Sequence, residues 1–101
     1  MNIDAYIKAA NRGDFKWQPF EVDNWTGQVL EEGCTYKGKE MAVKISSSAW
    51  DNFEVEIDLE NEPYFINVCR ASRKSAREFA ERVIRNDIEG NWQKNLKYAV
   101  K

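Results

Sequence analysis

The sequence predicts an α+β domain in which an antiparallel β-meander of four or five strands lies between an N-terminal helix and one or two C-terminal helices. The length of 101 residues suits a single domain over residues 1–101. Apolar and acidic residues alternate along residues 53–59, which is typical of a strand with one wet face. Apolar residues then recur at helical spacing between Ala76 and Ile88, as in a helix that packs on a sheet.

A short helix is predicted over residues 3–12. Its evidence is an apolar stripe at helical spacing, which consists of Ile3, Tyr6, Ile7 and Ala10. Asn2 suits the N-cap position, and Gly13 suits a C-terminal stop. We therefore expect the chain to enter the meander after this helix.

The meander is predicted from alternating residues separated by turn signals. Trp25, Gly27 and Val29 alternate with polar residues and indicate a strand, and glycines at positions 33 and 38 indicate turns. The serines at 46–48 predict a break in the chain. The strand over residues 53–59 follows, and side-chain alternation places its carboxylates together on one face. These carboxylates belong to Glu54, Glu56, Asp58 and Glu60.

The last third of the chain is predicted to be helical. A helix capped by Ser72 or Ser75 and ending at Gly90 presents a wide apolar face. A second, short helix is expected to contain Trp92 and Leu96. Both helices are expected to pack on the sheet, since an apolar stripe must be buried against another element.

Charge is segregated along the chain, although the net charge is only −2. Residues 45–69 contain six acidic side chains and no lysine or arginine, whereas residues 70–101 contain nine basic and four acidic side chains. A general nucleic-acid-binding protein is usually strongly basic, so a net charge of −2 argues against that class. Asymmetry of this kind bears on association with partners and not on the fold.

The acidic strand has two interpretations. It can be a solvated face that prevents edge pairing, particularly if Lys37, Lys39 and Lys44 neutralise it from the preceding hairpin. Alternatively, carboxylates repeating about every 7 Å match the spacing of phosphates along a nucleic-acid strand and suit a basic groove. The candidate partner-binding residues are Trp50, Asp51, Glu54, Glu56, Asp58, Glu60 and Glu62.

The basic helix gives an alternative hypothesis, that of a small nucleic-acid-associated protein. Its candidate binding residues are Arg73, Lys74, Arg77 and Lys94. The first three cluster at the helix start, where the helix dipole favours an anion. A competing interpretation is a solvated helix surface with ion pairs four residues apart, Glu78 with Arg82 and Glu81 with Arg85.

The sequence argues against catalysis and against a bound cofactor or metal. It contains no histidine, which removes the Ser–His and Cys–His nucleophile systems. Cys34 and Cys69 are too few for a structural zinc site and are expected to be reduced. Glu56 and Asp58 could hold Mg²⁺ or act as acid and base, but an open strand does little to separate their pKa values. The chain has neither a signal peptide nor a long apolar run, so we expect a cytoplasmic protein that does not enter a membrane.

In its overall style the chain resembles small phage or mobile-element anti-CRISPR proteins of the Cas9-inhibiting kind. The likeness lies in the length, the helix–meander–helix order, the lack of an enzyme motif and the acidic row of Glu54, Glu56, Asp58 and Glu60. It implies a non-catalytic inhibitor in the host-cell cytoplasm that acts as a nucleic-acid mimic. Its partner would be a CRISPR effector nuclease with a basic groove. The inhibitor itself would be a monomer or a homodimer.

Overall fold

A computed structural model describes residues 11–49, 52–59 and 65–100, and it confirms the α+β class. The described residues form an antiparallel sheet, an α-helix and a 3₁₀ helix. In chain order the elements are β1 (Asn11–Arg12), β2 (Phe15–Val22), β3 (Val29–Tyr36), β4 (Lys39–Glu40), β5 (Val43–Ala49), β6 (Asn52–Ile57), β7 (Phe65–Arg70), α1 (Arg73–Ile88), the 3₁₀ helix (Trp92–Tyr98) and β8 (Ala99–Val100).

The sheet is a meander, as the sequence predicts. Its order is β1-β2-β3-β5-β6-β7-β8 with all neighbours antiparallel, and β4 pairs only with β3. The predicted break at residues 46–48 is wrong, since β5 runs through it and Ser46 pairs with Glu54. A serine fits a strand well when the neighbouring strand forms hydrogen bonds with its backbone N–H and C=O groups. Pairing of β5 with β6 therefore overrides the preference of serine for turns.

The N-terminal helix predicted over residues 3–12 lies mostly outside the described residues. Its last two residues, Asn11 and Arg12, are not helical but form β1, so that end of the prediction is wrong. They pair with Lys16 and Phe15 across a tight turn. Gly13 has a φ of +58°, which suits the left-handed backbone that a short hairpin turn requires.

Trp25 and Gly27 also depart from the prediction, because they lie in the turn between β2 and β3 and not in a strand. The Asp23 side chain accepts hydrogen bonds from the backbone N–H groups of Trp25 and Thr26, at 2.8 and 3.3 Å. The backbone N–H of Gly27 donates to the carbonyl of Asp23 at 2.8 Å. An aspartate at the start of a turn satisfies the backbone locally, which outweighs the alternating pattern.

Helix α1 packs on one face of the sheet and closes the core. It begins at an N-cap, Ser72, whose side chain accepts from the N–H of Ser75 at 3.1 Å, and Gly90 with a φ of +78° follows its end. Its buried apolar residues are Ala76, Phe79, Ala80, Val83 and Ile84. The sheet contributes Phe15, Trp17, Cys34, Val43, Ile45, Val55, Ile57 and Ile66 to the same core.

Candidate protein-binding face

The face of the sheet opposite α1, which we call the open face, is the candidate site. Within the described ranges, no helix packs on it. Its side chains alternate with the buried ones along each long strand and are half-buried or exposed. They include Lys16, Glu31, Lys44, Ser46, Glu54, Glu56, Phe65 and Asn67. An antiparallel sheet commonly has one face on the core and one in solvent.

Strand β6 supplies the acidic residues that the sequence predicts. Val55 and Ile57 are buried against α1, which places Glu54 and Glu56 on the open face. Asp58 follows the last residue of β6 and is exposed, and its N–H still donates to the carbonyl of Ala42 at 2.9 Å. The predicted alternation is therefore confirmed for this strand.

The other predicted partner-binding residues are Trp50, Asp51, Glu60 and Glu62, and all four lie outside the described residues. Two acids that the sequence reading missed join the same region. Glu31 lies opposite Ser46 on the open face, and Glu40, the last residue of β4, lies near Glu56. Only the strand register brings them together, so sequence spacing carries no signal for them.

One lysine partly neutralises the open face. The Nζ of Lys44 lies 3.9 Å from the Oε1 of Glu31 and 4.0 Å from the Oε1 of Glu56. Exposed ion pairs of this length contribute only about 0–1 kcal/mol, because water screens them. Lys37 and Lys39 form no ion pair with any described residue, and the ammonium of Lys37 instead lies 5.5 Å from the ring centre of Tyr36. A net negative charge therefore remains.

The crowding of carboxylates on the open face raises the pKa of Glu56. A hydrogen bond with Glu54 raises the pKa of Glu56 most, burial and the charge of Glu54 add to this, and Lys44 opposes it. When the pH rises through this pKa, Glu56 loses its proton and its new negative charge is repelled by Glu54. A basic group from a partner would relieve the repulsion and lower the pKa again.

A shallow groove of about 540 Å³ crosses the open face. Phe20 and Phe65, which are 52% and 37% exposed, line it together with Glu40, Glu56 and Asp58. The Phe20 ring lies across β3 at Gly33, where a Cβ atom would overlap it. Glycine at position 33 thus lets an aromatic ring lie on the sheet surface beside the carboxylates.

Comparisons with models of known protein families, with curated proteins and with solved structures found no match. The geometry of the chain itself therefore carries the functional argument. In the part of the chain that is described, no helix is long and apolar enough to cross a bilayer. In that same part, no three histidine, cysteine, aspartate or glutamate side chains lie close enough together to hold a metal ion.

The residues of the alternative nucleic-acid hypothesis do not form one surface. Arg77 is buried and donates to Glu32 from Nε at 3.1 Å and from Nη2 at 2.7 Å. The Nη1 of Arg73 lies 3.3 Å from the same carboxylate, and its Nη2 donates to the carbonyl of Val29 at 2.8 Å. Lys74 is exposed at the start of α1, and Lys94 is exposed on the 3₁₀ helix. Two of the four cations therefore hold α1 to β3.

Trp25 is a further candidate for contact with a partner, because it is 95% exposed at the β2–β3 turn. The sequence did not single it out for this role. The hydrogen bonds of Asp23 hold this turn in place, and Gln28 links it to Ser47 of β5 at 3.5 Å. An exposed tryptophan on an ordered turn suits an interface anchor, since little conformational entropy is lost when it binds. The Asp23 and Gly27 turn residues are the signal that could have found it.

The two cysteines are free and differ in exposure, which predicts their reactivity. Burial raises the pKa of the Cys34 thiol to about 12, and the charges of Glu81 and Glu32 add to this, whereas Cys69 is exposed. We expect iodoacetamide at pH 8 to alkylate Cys69 alone in the native protein, because only the thiolate reacts. Mass spectrometry of peptides checks this, and denaturant should make Cys34 reactive. Equal native rates at both positions would contradict the burial of Cys34.

Proposed function

We propose that the chain is a non-catalytic protein-binding inhibitor that docks its open face onto a basic, nucleic-acid-binding groove of a partner protein. The observation that carries the proposal is the open face itself, which is uncovered by the described elements and acidic. Its Glu31, Glu54 and Glu56 surround one lysine, Lys44. The anti-CRISPR resemblance names the first partner class to test, the CRISPR effector nucleases.

Charge supports docking on a basic groove. Complementary charge speeds encounter and excludes wrong partners, even where it adds little to affinity. Glu54 and Glu56 project from one face of β6, and a hydrogen bond between their side chains draws the two carboxylates together into one compact anionic group. A groove that holds a nucleic-acid backbone offers lysine and arginine side chains that can pair with such a group.

Apolar area on the same face supports a protein partner. Phe20 and Phe65 are exposed beside the acidic residues, and buried aromatic side chains are frequent anchors at interfaces. The shallowness of the groove supports binding over catalysis, because its carboxylates are half-buried or exposed and catalytic carboxylates are usually held in deep clefts. The nucleic-acid alternative is less well supported, since Arg73 and Arg77 contact Glu32.

The test is competition with DNA for a purified CRISPR effector nuclease loaded with its guide RNA. The protein is expected to displace a fluorescent target duplex and to inhibit cleavage. Replacing Glu54 and Glu56 with lysine should weaken inhibition by about tenfold to a hundredfold, since each 1.4 kcal/mol of lost binding energy is tenfold. Inhibition should also weaken in acid, because the pKa of Glu56 is raised and this carboxylate takes up a proton as the pH falls through it.

The matched control is the double variant Asp14→Lys and Glu89→Lys, which changes the net charge equally. Asp14 lies in the β1–β2 turn, and Glu89 caps the end of α1, so both are exposed and away from the groove lining. The control is expected to inhibit like the wild type. Equal inhibition by the wild type and the Glu54→Lys, Glu56→Lys variant would refute docking through the open face.

A further inference from the structure

A second cavity of about 480 Å³ lies between α1 and the 3₁₀ helix, in the helical layer. We call it the helical cleft. Two of its residues come from α1 and four from the 3₁₀ helix. They are Arg82, Asn86, Gln93, Lys94, Lys97 and Tyr98.

Buried hydrogen bonds fix the two walls of the helical cleft relative to each other. Asn95 is fully buried, and its Nδ2 donates to the carbonyl of Val83 at 3.1 Å. Its Oδ1 accepts from the Nδ2 of Asn86 at 3.0 Å. The Tyr98 ring packs edge-on against Phe79, with 4.8 Å between ring centres. The 3₁₀ helix is thereby anchored, so its lysines project from a fixed backbone.

The helical cleft concentrates positive charge without a carboxylate in its lining. Among the described residues, Arg82, Lys94 and Lys97 form no ion pair, in contrast to Arg77 and Lys44. Glu78 and Glu89 line a neighbouring depression that Arg82 also borders. Lys94 and Lys97 do not line that depression, and the ammonium of Lys97 lies 5.1 Å from the ring centre of Tyr98. The positive charge of the cleft therefore lies mainly on these two lysines, with no carboxylate among the lining residues. Like charges that share a cavity repel one another, and a bound anion relieves this repulsion.

We propose that the helical cleft binds the phosphate or diphosphate group of a small phosphorylated molecule. Lysine and arginine form charge-assisted hydrogen bonds with phosphate oxygens, and the amides of Asn86 and Gln93 can donate further ones. The volume is that of a small-molecule site. The chain as a whole is acidic, with a net charge of −2, which disfavours long nucleic acids and favours a compact ligand.

Isothermal titration with inorganic phosphate and pyrophosphate tests this site, at constant ionic strength. We expect saturable binding, tighter for pyrophosphate because it engages more donors. Replacing Lys94 and Lys97 with glutamate should weaken pyrophosphate binding by about tenfold to a hundredfold, from the loss of two charged hydrogen bonds. Backbone amide shifts in NMR spectra should move most in the 3₁₀ helix.

The matched control is Lys74→Glu together with Lys39→Glu, which changes the charge equally at two exposed positions, at the start of α1 and in β4, that do not line the cleft. It should bind pyrophosphate like the wild type, and so should the open-face variant, which makes this test independent of the proposed function. A circular dichroism spectrum establishes folding, and the milder pair Lys94→Gln, Lys97→Gln serves if the glutamate pair unfolds. No saturable pyrophosphate binding, an equal loss in the control, or binding of a single-stranded oligonucleotide alone would overturn the proposal.

Discussion

Replacing Glu32 with alanine is expected to lower the free energy of unfolding by about 3–5 kcal/mol. Glu32 is fully buried between β3 and α1 and accepts two hydrogen bonds from Arg77. Its removal takes both bonds from Arg77, a residue that is itself only 7% exposed. A loss of this size is a large part of the roughly 5–15 kcal/mol by which a domain is stable.

Urea unfolding measures this loss, and a double variant separates its cause. Replacing Glu32 and Arg77 together by leucine removes the buried pair, so the double variant is expected to be more stable than Glu32→Ala but less stable than the wild type, because Arg73 still loses the carboxylate that lies 3.3 Å from its Nη1. Arg73 keeps its bond to the carbonyl of Val29 in that background. A Glu32→Ala variant that loses less than about 1 kcal/mol would show that the pair is not buried as described.

Replacing Trp17 with alanine is the second large change, with an expected loss of about 3–5 kcal/mol. Trp17 is 2% exposed and fills the core between β2 and α1. Its Nε1 also donates to the Oε2 of Glu81 at 2.9 Å. Trp17→Phe keeps most of the ring volume but takes one donor from a buried carboxylate, so we expect a smaller loss of about 1–3 kcal/mol.

Far-UV circular dichroism should follow these unfolding curves, because the substitution changes the tryptophan fluorescence. The chain offers a matched control in Trp25, which has the same side chain but is 95% exposed. Trp25→Ala is expected to change stability by no more than about 0.5 kcal/mol. Similar losses at positions 17 and 25 would contradict the contrast in burial.

The parts of the fold that the sequence predicts correctly depend on local pattern. Alternation in β6 needs only the two-residue period of a strand, so Val55 and Glu56 fall on opposite faces as predicted. The apolar face of α1 follows from helical spacing in the same way. The class and the meander order follow from these local patterns because sequential strands usually pair.

The parts that the sequence does not predict depend on contacts between distant residues. The sequence predicts a turn at Gly33, but β3 runs through it. The neighbouring Glu32 becomes a buried ion-pair partner only through α1, with Arg77 45 positions further on. The bond from Trp17 to Glu81 spans 64 positions. Part of the candidate acidic face is also non-local, since Glu31 reaches it through the register of β3 with β5.

Among the described residues, the one-sided packing of α1 separates charges in a way that contributes to an electric dipole moment. Carboxylates lie on the open face, and the lysines of the 3₁₀ helix lie in the helical layer. In the field of a basic partner such a dipole experiences a torque that turns the open face toward the partner before contact. The torque acts within about 10 Å at 0.1 M salt and shortens as salt rises. Rotational alignment during approach is thus a consequence of covering the sheet on one side only.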